Sequence, residues 1–162
     1  MLFRSFYGRY EEAIKEFKRH LSLPKAVWKP ERAASMRYIA KMCGEFLEAE
    51  QWFKKAIEEA PDRREAYVEL AKLYYENNRW FDCLEVAEKA LDIIDKPLEY
   101  LCEEFAWGSA PWDYAAIAAY NLGLSDKAIQ YGTKAVELNP NDFRLSTNLV
   151  FYSKEQSLGD NL

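Results

Sequence analysis

The 162-residue chain has few of the side chains that carry metal and nucleophile chemistry. It contains one histidine, His20, and three cysteines, Cys43, Cys83 and Cys102, and no two of these form a Cys-x-x-Cys pair. Paired thiolates are the usual sign of a disulfide framework or of a structural zinc site. The sequence therefore favours neither, and we expect no metal ion and no cofactor.

Long apolar runs and an excess of positive charge are also lacking. No stretch approaches the roughly 20 apolar residues that a bilayer-spanning helix needs, and the N-terminus lacks the apolar core of a signal peptide. The formal net charge is −5, whereas nucleic-acid binding usually requires a basic face. We therefore expect a cytoplasmic protein that binds neither a membrane nor nucleic acid.

The small net charge hides an uneven distribution along the chain. Residues 1–60 contain 12 Lys and Arg against 9 Asp and Glu, whereas residues 61–162 contain 10 against 18. The N-terminal part is therefore net +3 and the C-terminal part net −8. This asymmetry favours head-to-tail association, which salt would weaken.

The most informative feature present is a repeated pattern of turn, aromatic and small residues. Its clearest copy begins at Gly44 and continues with Phe46, Ala49, Phe53, Ala56 and Pro61. The same offsets recur from Asn78 and Gly123, and more loosely from Gly8. Each copy combines a turn with the apolar stripe of a following helix. The sequence thus predicts repeated helix–turn–helix units and an all-α fold.

This pattern resembles the tetratricopeptide repeat, in which a Gly-like turn, a crossing alanine and a closing proline recur about every 34 residues. The turns at Gly44 and Asn78 are 34 residues apart, and the resemblance covers roughly residues 8–145. It implies a right-handed α–α superhelix, or solenoid, of about three and a half repeats with a capping helix. Three positions depart from the pattern: Arg37 replaces a small residue, Ala33 replaces an aromatic one, and Gly132 replaces a large one.

The repeat columns also predict the boundaries of a single solenoid over residues 1–157. Because the Asn78 and Gly123 turns are 45 residues apart, we expect an insertion over 98–108 with an extra partial helix. Its apolar residues are Leu98, Leu101, Phe105 and Trp107. The remaining segments are expected to be a half repeat over 1–24, repeats over about 30–63, 64–97 and 109–140, a capping helix over 141–155, and a polar tail over 156–162.

At the N-terminus, only half of a first helix precedes the turn predicted at Gly8. Several aromatic side chains would then lack the helices that normally cover them: Phe3, Phe6, Tyr7 and Tyr10. Exposed apolar patches of this kind are uncommon in monomers. We therefore expect either a missing upstream portion or self-association through these residues.

A narrower resemblance is to the helical tail of bacterial and phage family 2 glycosyltransferases. It is carried by ERAASMRYIAKMCGE, YLCEEFAWGSAPWDYAAIAAYNLG and DKAIQYGTKAVELNPND. In that family an upstream catalytic domain holds its metal with an Asp-x-Asp motif, which this chain lacks. The resemblance implies a non-catalytic scaffolding module of such a protein. The alternatives are a free-standing peptide-binding adaptor and, more distantly, an intrinsic enzyme.

The groove formed by the first helices is the expected binding site for a protein or peptide, as in other solenoids. The predicted site residues are Tyr38, Lys41, Lys72, Tyr75, Trp107, Trp112, Asp113, Tyr114, Ile117, Tyr120 and Asn121. The aromatic members could stack on a sugar or a peptide side chain, although packing is the more ordinary role for Trp112 and Tyr114. Asp113 could accept a hydrogen bond from a ligand or cap the helix after Pro111.

Two more specific activities are not predicted. The clamp that grips a peptide carboxylate in chaperone-binding repeat proteins is missing, because its two columns hold Ala34, Val68 and Asp113 and then Tyr38, Lys72 and Ile117. Catalysis by paired carboxylates requires two acids that converge. Adjacent acids such as Glu103 and Glu104 would point to different sides of a helix, so we predict no catalytic residue.

Overall fold

The structure, a computed structural model, describes the backbone of residues 2–98 and 101–159 and the side chains of residues 9–98 and 101–154. These parts contain eight α-helices, one short 3₁₀ helix at Glu104–Ala106 and no strand. The α-helices are α1 Leu2–Ser22, α2 Lys29–Met42, α3 Phe46–Glu59, α4 Arg64–Glu76, α5 Trp80–Asp92, α6 Ala110–Asn121, α7 Ser125–Leu138 and α8 Phe143–Gly159.

Six of the helices form three consecutive hairpins, α2–α3, α4–α5 and α6–α7, and each hairpin packs against the next. The first helices of the hairpins contact one another in the order α2, α4, α6. Helix α1 packs on α2 at one end of the stack, and α8 packs on α7 at the other. The predicted all-α superhelix is confirmed.

The turns of the α4–α5 and α6–α7 hairpins explain the turn position of the repeat pattern. Asn78 and Gly123 have φ angles of 55° and 72°, in the left-handed region that glycine and asparagine tolerate best. In both turns the next residue donates its backbone N–H to a carbonyl five residues earlier, Arg79 to Tyr74 and Leu124 to Ala119, each at 2.9 Å. This is the hydrogen bond that closes a helix in a Schellman motif.

Small residues allow the helices of each hairpin to approach closely. The repeat position at which the two helices of a hairpin cross is occupied by Ala49, Cys83 and Ala128, and all three are buried. Larger side chains fill the space between hairpins and form the main core; those from α3 and α4 include Phe53, Leu70 and Tyr74. Because the crossing residues are small, the stack stays tight while these larger side chains supply most of the buried apolar surface.

The turn predicted at Gly8 is wrong, because α1 continues unbroken from Leu2 to Ser22. A single glycine costs a helix only about 1 kcal/mol relative to alanine, and no second breaker stands beside it. The expected half repeat over 1–24 is therefore one long helix. The side chains of Phe3, Phe6 and Tyr7 lie outside the described residues, and Tyr10 is 40% exposed.

The C-terminal helix is longer than predicted. Helix α8 extends to Gly159, so residues 156–159 of the expected polar tail are helical, and residues 160–162 lie outside the described part. Asp142 precedes the helix and accepts the backbone N–H of Arg144 at 3.0 Å, which satisfies one of its free N–H groups. Within the described ranges, every helix is too short or too polar to cross a membrane.

Candidate functional site

A groove of about 750 Å³ opens on the side of the first helices. It lies between the α2–α3 turn, the length of α4, the insertion and the start of α6. Its apolar lining includes Phe46, Leu73, Phe105 and Tyr114, and its charged lining includes Lys41, Glu45, Glu69, Lys72, Glu76 and Glu103. The groove therefore combines an aromatic surface with charges of both signs.

Helix α4 supplies the central wall of the groove. Its lining residues recur at helical spacing, so that they share one face: Val68, Glu69, Lys72, Leu73 and Glu76. Helix α6 contributes Tyr114, and burial raises the pKa of its hydroxyl to about 12. The hydroxyl of Tyr114 therefore keeps its proton at neutral pH and can donate a hydrogen bond.

A buried ionic cluster joins three parts of the chain beside the groove. Arg37 of α2 is 3% exposed and donates to both carboxylate oxygens of Glu69 of α4, at 2.6 and 3.0 Å. It also donates to Glu103 of the insertion at 2.8 Å, while Lys41 lies 3.0 Å from Glu69. Burial alone would lower the pKa of Arg37, but the two carboxylates outweigh it and raise that pKa. Arg37 thus remains charged and holds α2, α4 and the insertion together.

Residues 101–107 of the insertion form a strap across the first helices. The extra helix predicted here is reduced to the single 3₁₀ turn at Glu104–Ala106, and Leu98 is fully exposed. Phe105 is 39% exposed and lines the groove, whereas Ala106 is completely buried. The strap therefore forms one wall of the groove, which its sequence did not predict.

Among the predicted site residues, three line this groove: Lys41, Lys72 and Tyr114. Tyr75 lies next to them, with its ring centroid 5.6 Å from that of Tyr114. Trp107 ends the strap, and its indole nitrogen donates to Glu65 at 3.2 Å. These residues come from α2, α4, α6 and the strap, so the superhelix does bring part of the predicted set together.

The other predicted aromatic residues pack against neighbouring helices and do not form one platform. Tyr38 faces α1, Trp112 faces α7, and Tyr120 faces α8. The ring pairs are Tyr38 with Phe17 at 5.4 Å, Trp112 with Tyr131 at 6.0 Å, and Tyr120 with Tyr152 at 5.1 Å between centroids. A continuous aromatic surface for stacking a sugar is therefore not assembled by these side chains.

The remaining predicted site residues have structural partners in α6 and α8. Asp113 is buried and accepts two hydrogen bonds from Arg144, at 2.8 and 3.2 Å. It does not cap α6, which begins earlier, at Ala110. Asn121 donates to the carbonyl of Ile117 at 2.8 Å, and the side chain of Ile117 packs against the core. Asp113 thus joins α6 to α8.

The nucleophilic and metal-binding side chains are dispersed. Burial raises the pKa of the Cys83 thiol to about 12, and its sulfur lies 3.3 Å from the carbonyl oxygen of Ala71. His20 shares a hydrogen bond with Ser35 at 2.9 Å. In the part of the chain that the structure describes, no three His, Cys, Asp or Glu side chains are grouped to hold a metal ion.

Comparison with known proteins agrees with this geometry. Residues 115–142, from α6 to the end of the loop after α7, match the family model of the tetratricopeptide repeat. The first repeat domain of human RPAP3 superimposes with a TM-score of 0.67 at 16% identity, over 82% of this chain and 98% of that chain. The chain has the tetratricopeptide-repeat fold.

A second solved structure extends the likeness over almost the whole solenoid. The crystal structure of MamA superimposes with a TM-score of 0.71 at 17% identity, covering 97% of this chain and 84% of that chain. A comparison with curated proteins found no match. The tetratricopeptide repeats thus account for the fold, while the resemblance to glycosyltransferase tails gains no support from these matches.

Proposed function

We propose that this tetratricopeptide-fold chain is a non-catalytic interaction module that binds an extended segment of a partner protein. The observation that carries the proposal is the 750 Å³ groove along the first helices. Its volume falls within the range of about 300–1,000 Å³ that is typical of ligand sites. Solenoids commonly use this concave surface for binding.

The lining indicates which kind of segment the groove would accept. Phe105 and Tyr114 offer aromatic surface to an apolar side chain, and aromatic residues are enriched where interfaces bind most strongly. Lys41 and Lys72 lie at the rim, with about half of each side chain exposed. These lysines pair with Glu69 and Glu76 of α4, so the lining favours a segment that is anchored by an apolar side chain.

A peptide-selection experiment tests this proposal. Peptides selected from a displayed random library are titrated against the wild-type chain and two variants, with fluorescence anisotropy as the readout. Phe105→Ala should weaken binding at least tenfold, because it removes the exposed aromatic wall of the groove. Phe81→Ala is the matched control, since Phe81 is 70% exposed on α5 and is absent from the groove lining.

Two results would contradict the proposal. One is a library that yields no binding peptide with the folded chain. The other is a set of peptides whose binding shifts no amide resonance of the groove lining, which would place their binding outside the groove.

The kind of protein to which this module belongs is a separate hypothesis. A glycosyltransferase-like protein is supported by the resemblance of three sequence segments alone, and a free-standing adaptor fits the fold equally well. The first hypothesis predicts a coding frame that continues upstream of Met1 into a domain with an Asp-x-Asp motif. We also propose a cytoplasmic location, because Cys43, Cys83 and Cys102 are all free thiols, as is usual in a reducing compartment.

A further inference from the structure

The strap, residues 101–107, is held like a bound peptide. Its Glu103 N–H donates to the carboxylate of Glu65 on α4 at 2.9 Å, and its Glu103 carboxylate accepts from Arg37 on α2 at 2.8 Å. These partners lie 38 and 66 residues away in the sequence. One strap residue is thus fixed through both its backbone and its side chain, the two means by which extended segments are recognised.

The far end of the strap makes a second set of contacts. The Trp107 ring lies 4.4 Å from the guanidinium carbon of Arg64, and its indole nitrogen donates to the same Glu65 oxygen at 3.2 Å. Stacking of a cation on a tryptophan ring is favourable, and tryptophan and arginine often dominate binding interfaces. The carboxylate and the indole of the strap are therefore its two anchors, four residues apart.

The side chains beneath the strap are positioned by contacts that do not involve it. Glu69 holds the Arg37 guanidinium through two hydrogen bonds, and the carbonyl of Ile93 accepts a hydrogen bond from Arg64 at 2.8 Å. Both arginines would keep these partners if the strap moved away. A surface that is already organised loses less entropy when it binds a segment. The same face is therefore ready to accept another chain.

Leu98, which precedes the strap, and Glu104, within it, contribute much less to its attachment. On its N-terminal side Leu98 is fully exposed. Glu104 points to solvent and pairs with Lys96 at 2.7 Å, and such surface ion pairs contribute little to stability. Ala106 adds an apolar contact, because it is completely buried with Val68 and Ala90. The attachment therefore depends on Glu103, Ala106 and Trp107, and a competitor that supplies these groups could replace it.

We infer that the strap is a built-in ligand that occupies the first-helix face until a partner displaces it. The partner segment carries a carboxylate and an indole four residues apart, as Glu103 and Trp107 are. The inference rests on the proposed peptide-binding function, because it names the partner chemistry and the regulation of the same groove. The strap also supplies Phe105 to the groove wall, so a peptide that displaces the strap would not depend on Phe105, unlike a peptide that binds beside the strap.

The test uses a fluorescent synthetic peptide that copies residues 101–109 and carries Cys102→Ser to prevent oxidation. Its affinity is measured for the wild-type chain and for the double variant Glu103→Ala/Trp107→Ala, in which the strap has lost both anchors. The double variant should bind the peptide at least tenfold more tightly, because a tethered competitor acts at a high effective concentration. Glu104→Ala, the matched control at the neighbouring acid, should bind like the wild type.

A peptide control and a measurement on the unaltered chain complete the test. The same peptide with Glu103→Lys should lose its binding to the double variant. In the ¹⁵N-labelled wild-type chain, an excess of unlabelled peptide should shift the amide resonance of Glu103, because its hydrogen bond to Glu65 is broken. If the double variant fails to fold, this amide measurement decides the question.

The inference is overturned if the folded double variant binds the peptide no more tightly than the wild type, or if the Glu103 amide does not respond. Library peptides that still depend on Phe105 would in that case leave the proposed function standing. The proposed function fails separately, when no library peptide depends on the groove at all.

Discussion

At the scale of single residues, two of the three departures from the repeat pattern are compensated by distant side chains. Arg37 stands where a small residue is usual, and it is neutralised by Glu69 and Glu103. Gly132 stands where a large residue is usual, and the ring of Tyr152 from α8 occupies that space. A Cβ at Gly132 would lie 3.1 Å from Tyr152 ring carbons. The sequence shows the departures, but not the remote residues that compensate for them.

Restoring the usual large residue at position 132 should therefore destabilise the chain. Gly132→Leu should lower the free energy of unfolding by about 1–3 kcal/mol, the usual cost of overpacking a filled site. Urea unfolding followed by circular dichroism measures this loss. Gly44→Ala is the control, because a Cβ there meets no atom within 4 Å, and it should leave stability almost unchanged. Equal stabilities for both variants would contradict the packing described at α8.

A buried carboxylate provides a second prediction at this scale. Glu50 accepts the Tyr74 hydroxyl at 2.6 Å and pairs with Lys54 at 3.0 Å. Burial alone would raise the pKa of Glu50, but these two partners outweigh burial and lower it. The stability that Glu50 contributes is therefore fully present above the unfolded pKa of about 4.3. It is lost as the pH falls through the lower folded pKa.

Glu50→Gln should accordingly lower the free energy of unfolding by about 1 kcal/mol at pH 7. The difference in this free energy from the wild type should shrink as the pH falls below about 4. Urea unfolding at pH 7, 5, 4 and 3 measures this trend. Glu58→Gln, at an exposed position of the same helix α3, should change stability little at any of these pH values. A difference for Glu50→Gln that grows on acidification would refute the assignment.

At the scale of helices and turns, features set by the local sequence were predictable, whereas features set by contacts between remote residues were not. The turns at Asn78 and Gly123 follow from columns that repeat along the chain, because their left-handed geometry favours particular residues. Gly8 fits the same column only loosely, and α1 passes through it without a turn. A glycine alone does not end a helix when no other residue does.

The Asn78 turn can be tested by substitution. Asn78→Val should lower the free energy of unfolding by about 1–2 kcal/mol, because a branched side chain is strained at a φ of 55°. Asn78→Gly should be neutral or slightly stabilising, since glycine adopts this conformation freely. Thermal unfolding of the two variants gives the comparison. A valine variant as stable as the glycine variant would show that this turn is not left-handed.

The candidate site was also predictable only in part, because some of its residues are held by partners that are remote in sequence. Helical spacing placed Lys41 and Lys72 on the first-helix face, and the aromatic residues near the insertion included Tyr114; all three line the groove. The repeat pattern could not place Glu103 or Phe105, because the strap is fixed by partners on α2 and α4 that are remote in sequence. Insertions break the periodicity on which such predictions depend.

At the scale of the whole molecule, the charge asymmetry gives a further prediction. Residues 1–60 are net +3 and residues 61–162 net −8, so the ends of the superhelix should attract one another between molecules. Head-to-tail association stays a prediction. Light scattering at high protein concentration should show an average mass that falls towards that of the monomer when salt rises from about 0.02 to 0.5 M. A strict monomer at low salt would contradict it.

We propose that the first-helix groove of this tetratricopeptide-fold chain binds a partner segment. Amide chemical-shift mapping of the ¹⁵N-labelled chain, titrated with a library-selected peptide, tests it most directly. Binding in the groove should give saturable shifts concentrated at Lys41, Lys72, Phe105 and Tyr114. Shifts confined to the outer helices α5 and α7, or no saturable shift at all, would contradict it.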